Sequence, residues 1–433
     1  ERDVTSAFIK SDMKVRGVLV KLKRDIVDRL LALEGLPAHW AEYRRSDGTM
    51  IVECDRAWYG HPACCAIFNA DINEMLTKEC GYTRHSMVPC LYYRDLGGGR
   101  NAYIMVFVDD LGYLMPHDKV EDKRVTAIIE ERYGELKKQE GDRVKYVGLE
   151  VYRNRAENRF EVTMTKRARK LAGVHGVTST VDNPARADGS FTEEGIGDDC
   201  ELVDATNYRS LVMSMRYLTY AMPECLFHTS YLATKQAAPT RKHLKDALRV
   251  LEYMNGACER PMRVYACGQD PLLEVFADAA YQMHTDSKSH SGIALFLGRC
   301  GAAVHAASGK QRLVTRSTCD SEIVPLEQGT FLGAYFRMVL AEIGVNVKMV
   351  IHWEDNAAAL HLAEHGTTDY AKKRKHIIGM VHSTKEYIED EDNRAVALHC
   401  VTEKMTADLC TKDLHGSLFE LHTAHMHGEQ EED

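Results

Sequence analysis

The stretch Tyr103-Ile104-Met105-Val106-Phe107-Val108-Asp109-Asp110-Leu111-Gly112-Tyr113-Leu114-Met115 sets two adjacent acids between two apolar arms. Apolar runs of this length, broken by a short polar pair, predict a β-hairpin with the acids at its turn. Asp favours turns for its own sake, so a solvated turn explains the pair if it is read in isolation. The flanks argue for more. Both arms are apolar, so the pair is expected at the end of a buried hairpin, where unpaired carboxylates are costly. A divalent metal relieves that cost, and hard Mg²⁺ prefers carboxylate oxygen plus substrate phosphate. Phosphoryl transfer at two metals about 3.5–4 Å apart needs such acids on a rigid element.

Around the hairpin, residues 1–160 show short apolar runs broken by Gly and Pro, among them Gly17-Val18-Leu19-Val20, Met50-Ile51-Val52 and Cys90-Leu91-Tyr92-Tyr93. These predict strands, with a helix over Ala66 to Cys80 between them. From Met164 to Met254 the period becomes helical, and Tyr208, Leu211, Met215 and Leu218 keep the spacing of one helix face. A third block opens with the strands Leu273–Ala277 and Ser291–Gly298. It continues with a helix after Arg316, the strand Lys348–Trp353 and more helix, which is the pattern of an α/β domain. The tail Gly428–Asp433 is acidic.

Composition narrows the class. The chain has 433 residues, 45% apolar and 27% charged, which excludes wholesale disorder and suggests more than one domain. Its 13 cysteines include no C-x-x-C pair, against both a disulfide framework and a structural zinc site, and for a reducing compartment. No apolar run is long enough for a membrane span and no signal peptide is visible, so an intracellular protein with no membrane partner is expected. The net charge of −9 argues against a protein that simply coats nucleic acid. Local basic runs remain: Lys14, Arg16, Lys21, Lys23 and Arg24; Lys166, Arg167, Arg169 and Lys170; and Lys372, Lys373, Arg374 and Lys375. Each is commonly a solvated face, and each could contact phosphates.

Phe107-Val108-Asp109-Asp110 resembles the Tyr-x-Asp-Asp hairpin of reverse transcriptases, in the Tyr-Val-Asp-Asp form of copia-type LTR retrotransposons. The resemblance continues in order along the chain. Asp3-Val4-Thr5-Ser6-Ala7-Phe8 is similar to the first palm motif, and Ala57-Trp58-Tyr59-Gly60 to Ala-Leu-Tyr-Gly. Pro89-Cys90-Leu91-Tyr92-Tyr93 resembles Asp-Pro-Cys-Leu-Phe, and Tyr146-Val147-Gly148-Leu149-Glu150-Val151 the primer-grip strand. Tyr208–Val212 and Arg249–Gly256 match connecting helices. The resemblance implies that Asp3 and Asp109 bind both catalytic metals with Asp110 in support. It further implies that Ser6 and Ala7 meet the nucleoside triphosphate and that Phe8 excludes a ribose 2′-OH. Alone, Asp3 would read as an incidental acid near a terminus.

Four further acids fit a second site: Asp278, Glu322, Asp355 and Asp408, at strand ends and helix starts. Singly, each is better explained as an exposed cap or turn. Together with Lys288–Gly292, Lys375-His376-Ile377 and His382, they resemble the copia-type RNase H domain. That resemblance implies two Mg²⁺ ions (or Mn²⁺) at each site and cleavage of the RNA strand of an RNA–DNA hybrid. His376 and His382 are read as structural or hybrid-contacting.

The implied fold is α+β and α/β multidomain. A reverse transcriptase palm spans 1–162, a helical thumb and connection 163–268, an RNase H-like domain 269–425 and an acidic tail 426–433. The implied partners are an RNA template, a DNA primer, RNA–DNA hybrid and deoxynucleoside triphosphates, in a cytoplasmic particle or the nucleus. The chain opens inside the first palm motif, so fingers, and integrase and protease domains, are expected in a longer product. Departures from the family pattern are Ala63 in place of a nucleotide-touching glutamine, Ala280 and Ile378 in place of acids, and Pro325 inside the helix after Glu322. The alternative reading is a catalytically decayed or domesticated remnant that keeps the fold and binds nucleic acid.

Overall fold

The computed structural model describes residues 2–4, 10–11, 18–57, 61–116, 119–188, 190–266, 270–298, 301–366 and 375–429, and divides the chain into two units, Glu1–Glu140 and Gly141–Asp433. Ser6, Ala7, Phe8, Lys14, Arg16, Lys372, Lys373 and Arg374 lie outside the described residues.

In the first unit β1 (Arg2–Asp3), β4 (Thr83–Arg84), β5 (Leu91–Asp95), β6 (Asn101–Phe107), β7 (Asp110–Leu114) and β8 (Lys137–Lys138) form one antiparallel sheet. Its order is β4-β5-β6-β7-β1-β8, so the first strand of the chain is inserted beside the hairpin. Separately, β2 (Leu19–Leu22) pairs with β3 (Met50–Glu53), next to helix α1 (Arg24–Leu31). Helix α2 (Cys64–Glu74), prolonged by a π-helical turn over Met75–Glu79, and helix α3 (Lys119–Tyr133) cover one face of the main sheet. The alternation of β6 explains why only one face is covered. Ala102, Ile104 and Val106 are buried against Phe68, Ile72, Val125 and Ile129, while Met105 and Phe107 point to the opposite side. Buried Asp71 ties the two helices together, accepting from Tyr133 Oη at 2.7 Å and pairing with Arg132 at 2.5 Å.

The hairpin forms as expected, but its end is not buried. Phe107 is 53% exposed and Val108 41%, because the outward face of β6 and the turn carry apolar residues that no layer covers among the described residues.

In the second unit β9 (Arg143–Tyr146), β10 (Leu149–Asn154), β11 (Arg159–Thr163) and β12 (Met262–Tyr265) make an antiparallel sheet in the order β12-β11-β10-β9. Between β11 and β12 run α4 (Thr165–Val174), α5 (Ala205–Leu218), α6 (Leu226–Ala233) and α7 (Arg241–Ala257). Asp204 caps α5, accepting from the Thr206 and Asn207 amides, and Thr240 with His243 forms a reciprocal capping box on α7.

The last sheet contains β13 (Leu272–Ala280), β14 (His290–Leu297), β15 (His305–Lys310), β16 (Met349–Glu354) and β17 (Ala395–His399), in the order β15-β14-β13-β16-β17. The first three strands run antiparallel, and β13, β16 and β17 run parallel. Antiparallel meander followed by parallel crossovers is the α/β pattern expected of the third block. Helix α8 (Thr318–Glu342) lies on one face, followed by α9 (Ala357–His365), α10 (Lys375–Glu389) and α11 (Gly416–Met426). Gly329 and Gly333 let α8 approach closely, since a Cβ at Gly333 would stand 2.9 Å from Val350 Cγ1. Pro325 is accommodated inside an unbroken α8.

The other face of the sheet shares one apolar core with the helical block. Phe276, Ala294 and Phe296 cluster with Leu226, Phe227, Tyr231, Val250 and Met254. The described cysteines form no disulfide, and no described helix is long and apolar enough to cross a membrane. The α+β and α/β multidomain class is thus the observed one.

Candidate active site

Asp278 lies within β13 rather than at its end, opposite Gly292 of β14. That glycine has a direct structural cause. A Cβ there would sit 2.7 Å from Cys410 Cβ and 2.8 Å from the Ala407 carbonyl oxygen. Only a residue without a side chain lets the short 3₁₀ turn Thr406–Cys410 pack onto the strand and carry Asp408 to Asp278. Asp355 follows β16 and is pinned on both sides. Glu354 Oε1 accepts from the Asn356 amide at 2.9 Å, and Asn356 Oδ1 caps α9 by accepting from Ala358 and Ala359.

Oxygens of Asp278, Asp355 and Asp408 all lie within 4.8 Å of one another. Glu322, near the start of α8, is buried beside them. Burial, then the charges of Asp278, Glu354 and Asp355, hold its carboxyl well above the usual range. Desolvation likewise raises Asp355, with Asp278 the next cause. Asp408 is pushed up to about 7 by burial and by Asp278, against the lowering effect of Lys412. Thr411 Oγ1 donates to Asp278 Oδ2, and Lys412 Nζ stands 2.6 Å from Asp408 Oδ1 and 3.4 Å from Asp278 Oδ1.

All four expected acids of this site therefore come from four separate elements to one place. Sequence reasoning missed Glu354 and the roles of Thr411 and Lys412. Glu354 is fully buried, is raised chiefly by burial, and has one oxygen without a hydrogen-bond partner, as does Glu322. The signal for Glu354 was an acid closing an apolar strand directly before Asp355. This donor set fits a hard divalent cation: every atom is a carboxylate oxygen, and Lys412 offsets Asp278 and Asp408 but makes no hydrogen bond to Glu322 or Asp355.

In the first unit the backbone pairs Asp3 with Asp110, and the Val4 amide donates to the Asp109 carbonyl at 3.1 Å. Asp109 and Asp110 are half-buried at the hairpin turn. Val108 precedes them at φ 54°, a left-handed conformation that is strained for a β-branched residue and common at functional sites. Ala63 is the residue before α2 and brings no side-chain hydrogen bond. The Cys65 thiol beside it is raised by burial, by Cys64 and, to a lesser degree, by Asp109.

The basic runs are partly neutralised within the chain. Lys166 pairs with Glu150, Arg169 with Glu259 and Lys21 with Asp47, while Arg167 stacks over Tyr217 with 4.3 Å to the ring centre.

No family model matches the chain. In sequence it is 24% identical over 319 residues to a retrovirus-related Pol polyprotein from transposon RE2 of Arabidopsis thaliana, covering 72% of this chain and 21% of that protein. To the corresponding polyprotein from transposon RE1 of the same plant it is 25% identical over 222 residues, covering 51% and 15%. The chain thus spans about a fifth or less of these relatives' length. Among solved structures, the N-terminal RNase H domain of rv2228c from Mycobacterium tuberculosis aligns with 9% identity and a TM-score of 0.25, covering 33% of this chain and 91% of that one. RNase H1 of Halobacterium salinarum aligns with 13% identity and a TM-score of 0.24 over 32% and 94%. LC11-RNase H1 in complex with RNA/DNA hybrid aligns with 12% identity and a TM-score of 0.23 over 32% and 93%. In sequence, the chain is similar to retrovirus-related Pol polyproteins of plant transposons.

Proposed function

We propose that the chain is a reverse transcriptase–ribonuclease H segment, with an RNA-directed DNA polymerase in its first unit and a nuclease for RNA–DNA hybrid in its second. The observation that carries the reading is the meeting of Asp278, Asp355 and Asp408 on the RNase H-like sheet, with Glu322 buried beside them. The polymerase half is supported by the register of Asp3 against Asp110 and by the relatives. Its nucleotide would meet Ser6, Ala7 and Phe8.

Asp278, Glu322, Asp355 and Asp408 would hold Mg²⁺ or Mn²⁺, and Asp3, Asp109 and Asp110 would do so at the polymerase site. Bound there, such ions acidify an attacking water or hydroxyl and offset charge on the leaving oxygen. The chain's own contribution is preorganisation. Asp278 is fixed by Thr411 and Lys412, and Asp355 by the Glu354–Asn356 turn. Buried on a rigid sheet, these carboxylates need no reordering as charge develops. A hybrid duplex would be selected by its shape and its 2′-hydroxyls rather than by base sequence.

One observation favours decay of the polymerase half: Ala63 offers a methyl where the family pattern has an amide. Losing a hydrogen bond to a charged group costs about 1.5–3 kcal/mol, or one to two decades in rate. Primer extension and hybrid cleavage are to be measured on the same preparation with Mg²⁺ or EDTA. The expected outcome is weak or absent extension with clear Mg²⁺-dependent cleavage, which Asp355→Asn lowers more than about 100-fold by removing a metal ligand. Extension without cleavage would reverse the ranking, and neither activity would establish the remnant.

A further inference from the structure

Lys412 is placed unlike an ordinary surface lysine. Its ammonium makes two hydrogen bonds, to Asp408 at 2.6 Å and to Asp278 at 3.4 Å. Those side chains are only 4% and 2% exposed, whereas that of Lys412 is 36% exposed. The acids are held in the fold: Asp278 sits in a central strand and accepts from Thr411, and Asp408 sits on a turn packed against Gly292. The lysine reaches them by a flexible stem with a path to solvent. Neither Asp355 nor Glu322 is among its hydrogen-bond partners, so the cluster is asymmetric. One side, between Asp278 and Asp408, already contains a tethered cation. On the other side, Glu322 keeps a buried carboxylate oxygen with no hydrogen-bond partner.

We propose that Lys412 is a tethered occupant of one of two cation positions, holding Asp278 and Asp408 together until a second divalent ion displaces it. The inference rests on the metal-binding reading of the cluster. It makes Lys412 a positioning residue that acts through the carboxylates. A first ion would be held by Asp355 with Asp278 and the neighbouring Glu322, and would leave the lysine in place. The second must compete with an ammonium at Asp408, so it is the weaker of the two and sets the metal concentration the site requires. A lysine suits this role because its charge is compact and its stem mobile, whereas a rigid guanidinium fork would bridge two carboxylates more firmly.

The test is a Mn²⁺ titration of the full, metal-stripped chain without nucleic acid, followed by electron paramagnetic resonance. It is run in an Asp109→Asn/Asp110→Asn background so that the first unit adds no ions. With Lys412 present, one tightly held Mn²⁺ per chain is expected. Lys412→Met should hold two, the second bound about tenfold more tightly than in the parent and spin-coupled to the first. Lys412→Arg should keep one. Lys412→Gln serves as a second neutral variant if Lys412→Met fails to fold. Equal stoichiometry and affinity in the parent and the neutral variant would overturn the proposal, as would a gain of the second ion in Lys412→Arg. Absence of any Mn²⁺ at the cluster in the parent, matched by Asp278→Asn, would instead sink the metal-binding reading on which it rests.

Discussion

His352, in the middle of β16, is 1% exposed and neither ring nitrogen has a hydrogen-bond partner. Its ring meets Tyr387 edge-on at 5.8 Å, and burial pushes its pKa down to about 3. The unfolded chain takes up this proton near the ordinary value of about 6.5, so the unfolded state binds more protons below that pH. Folding stability therefore falls as pH drops from about 6.5 toward 3, by about 2 kcal/mol at about pH 5 from this residue alone. His352→Leu should remove both the unpaired polar atoms and this proton uptake. Urea unfolding should show the variant more stable by about 1–2 kcal/mol at neutral pH, with the gap widening as the solution is acidified. The carboxylate cluster titrates in the opposite sense, but it is common to both proteins and cancels in the difference. A variant that is less stable at neutral pH, with a constant gap, would mean that His352 finds partners in solution.

At the scale of elements, period and pattern were enough for most of the architecture. The apolar arms of the 103–115 hairpin, the helix faces around Tyr208–Leu218 and the strands at 273–277 and 348–353 all carried clear signals, and all form. Their ends were less legible. β13 continues through Asp278 to Ala280 because it is the central strand of its sheet, buried on both faces, where an acid reads like a terminus. The exposed end of the hairpin was not legible either, since an apolar strand does not reveal whether a second layer covers its outer face. The insertion of β1 between β7 and β8 depends on pairing across the whole first unit, which no local pattern encodes. Among site residues, the four acids of the second unit were readable from their order along the chain. Glu354, Thr411 and Lys412 were not, because their roles exist only once Gly292 admits the Thr406–Cys410 turn.

At the scale of the molecule, the second unit is compact from Gly141 onward. Its five-stranded sheet does not close its core alone. Phe276, Ala294 and Phe296 pack on the helices between 205 and 257. Polar ties cross the same boundary: Glu224 Oε2 with His427 Nε2 at 2.9 Å, both side chains fully buried, and Ser230 Oγ donating to the Ser308 carbonyl at 2.8 Å. Returning one large apolar side chain such as Phe276 to water costs about 1.5–3 kcal/mol. A fragment of residues 141–433 is thus expected to unfold in a single cooperative transition. One of residues 269–433 should be less stable by at least that amount or insoluble, and equal melting curves for the two would contradict the shared core.

The central proposal is that four acids from four elements form a divalent-cation site on the five-stranded sheet of the second unit. Anomalous diffraction from a Mn²⁺-soaked crystal of the chain tests it most directly. The expected result is anomalous density bounded by Asp278, Glu322, Asp355 and Asp408, absent in Asp355→Asn. A crystal that takes up Mn²⁺ elsewhere while this cluster stays empty would contradict it.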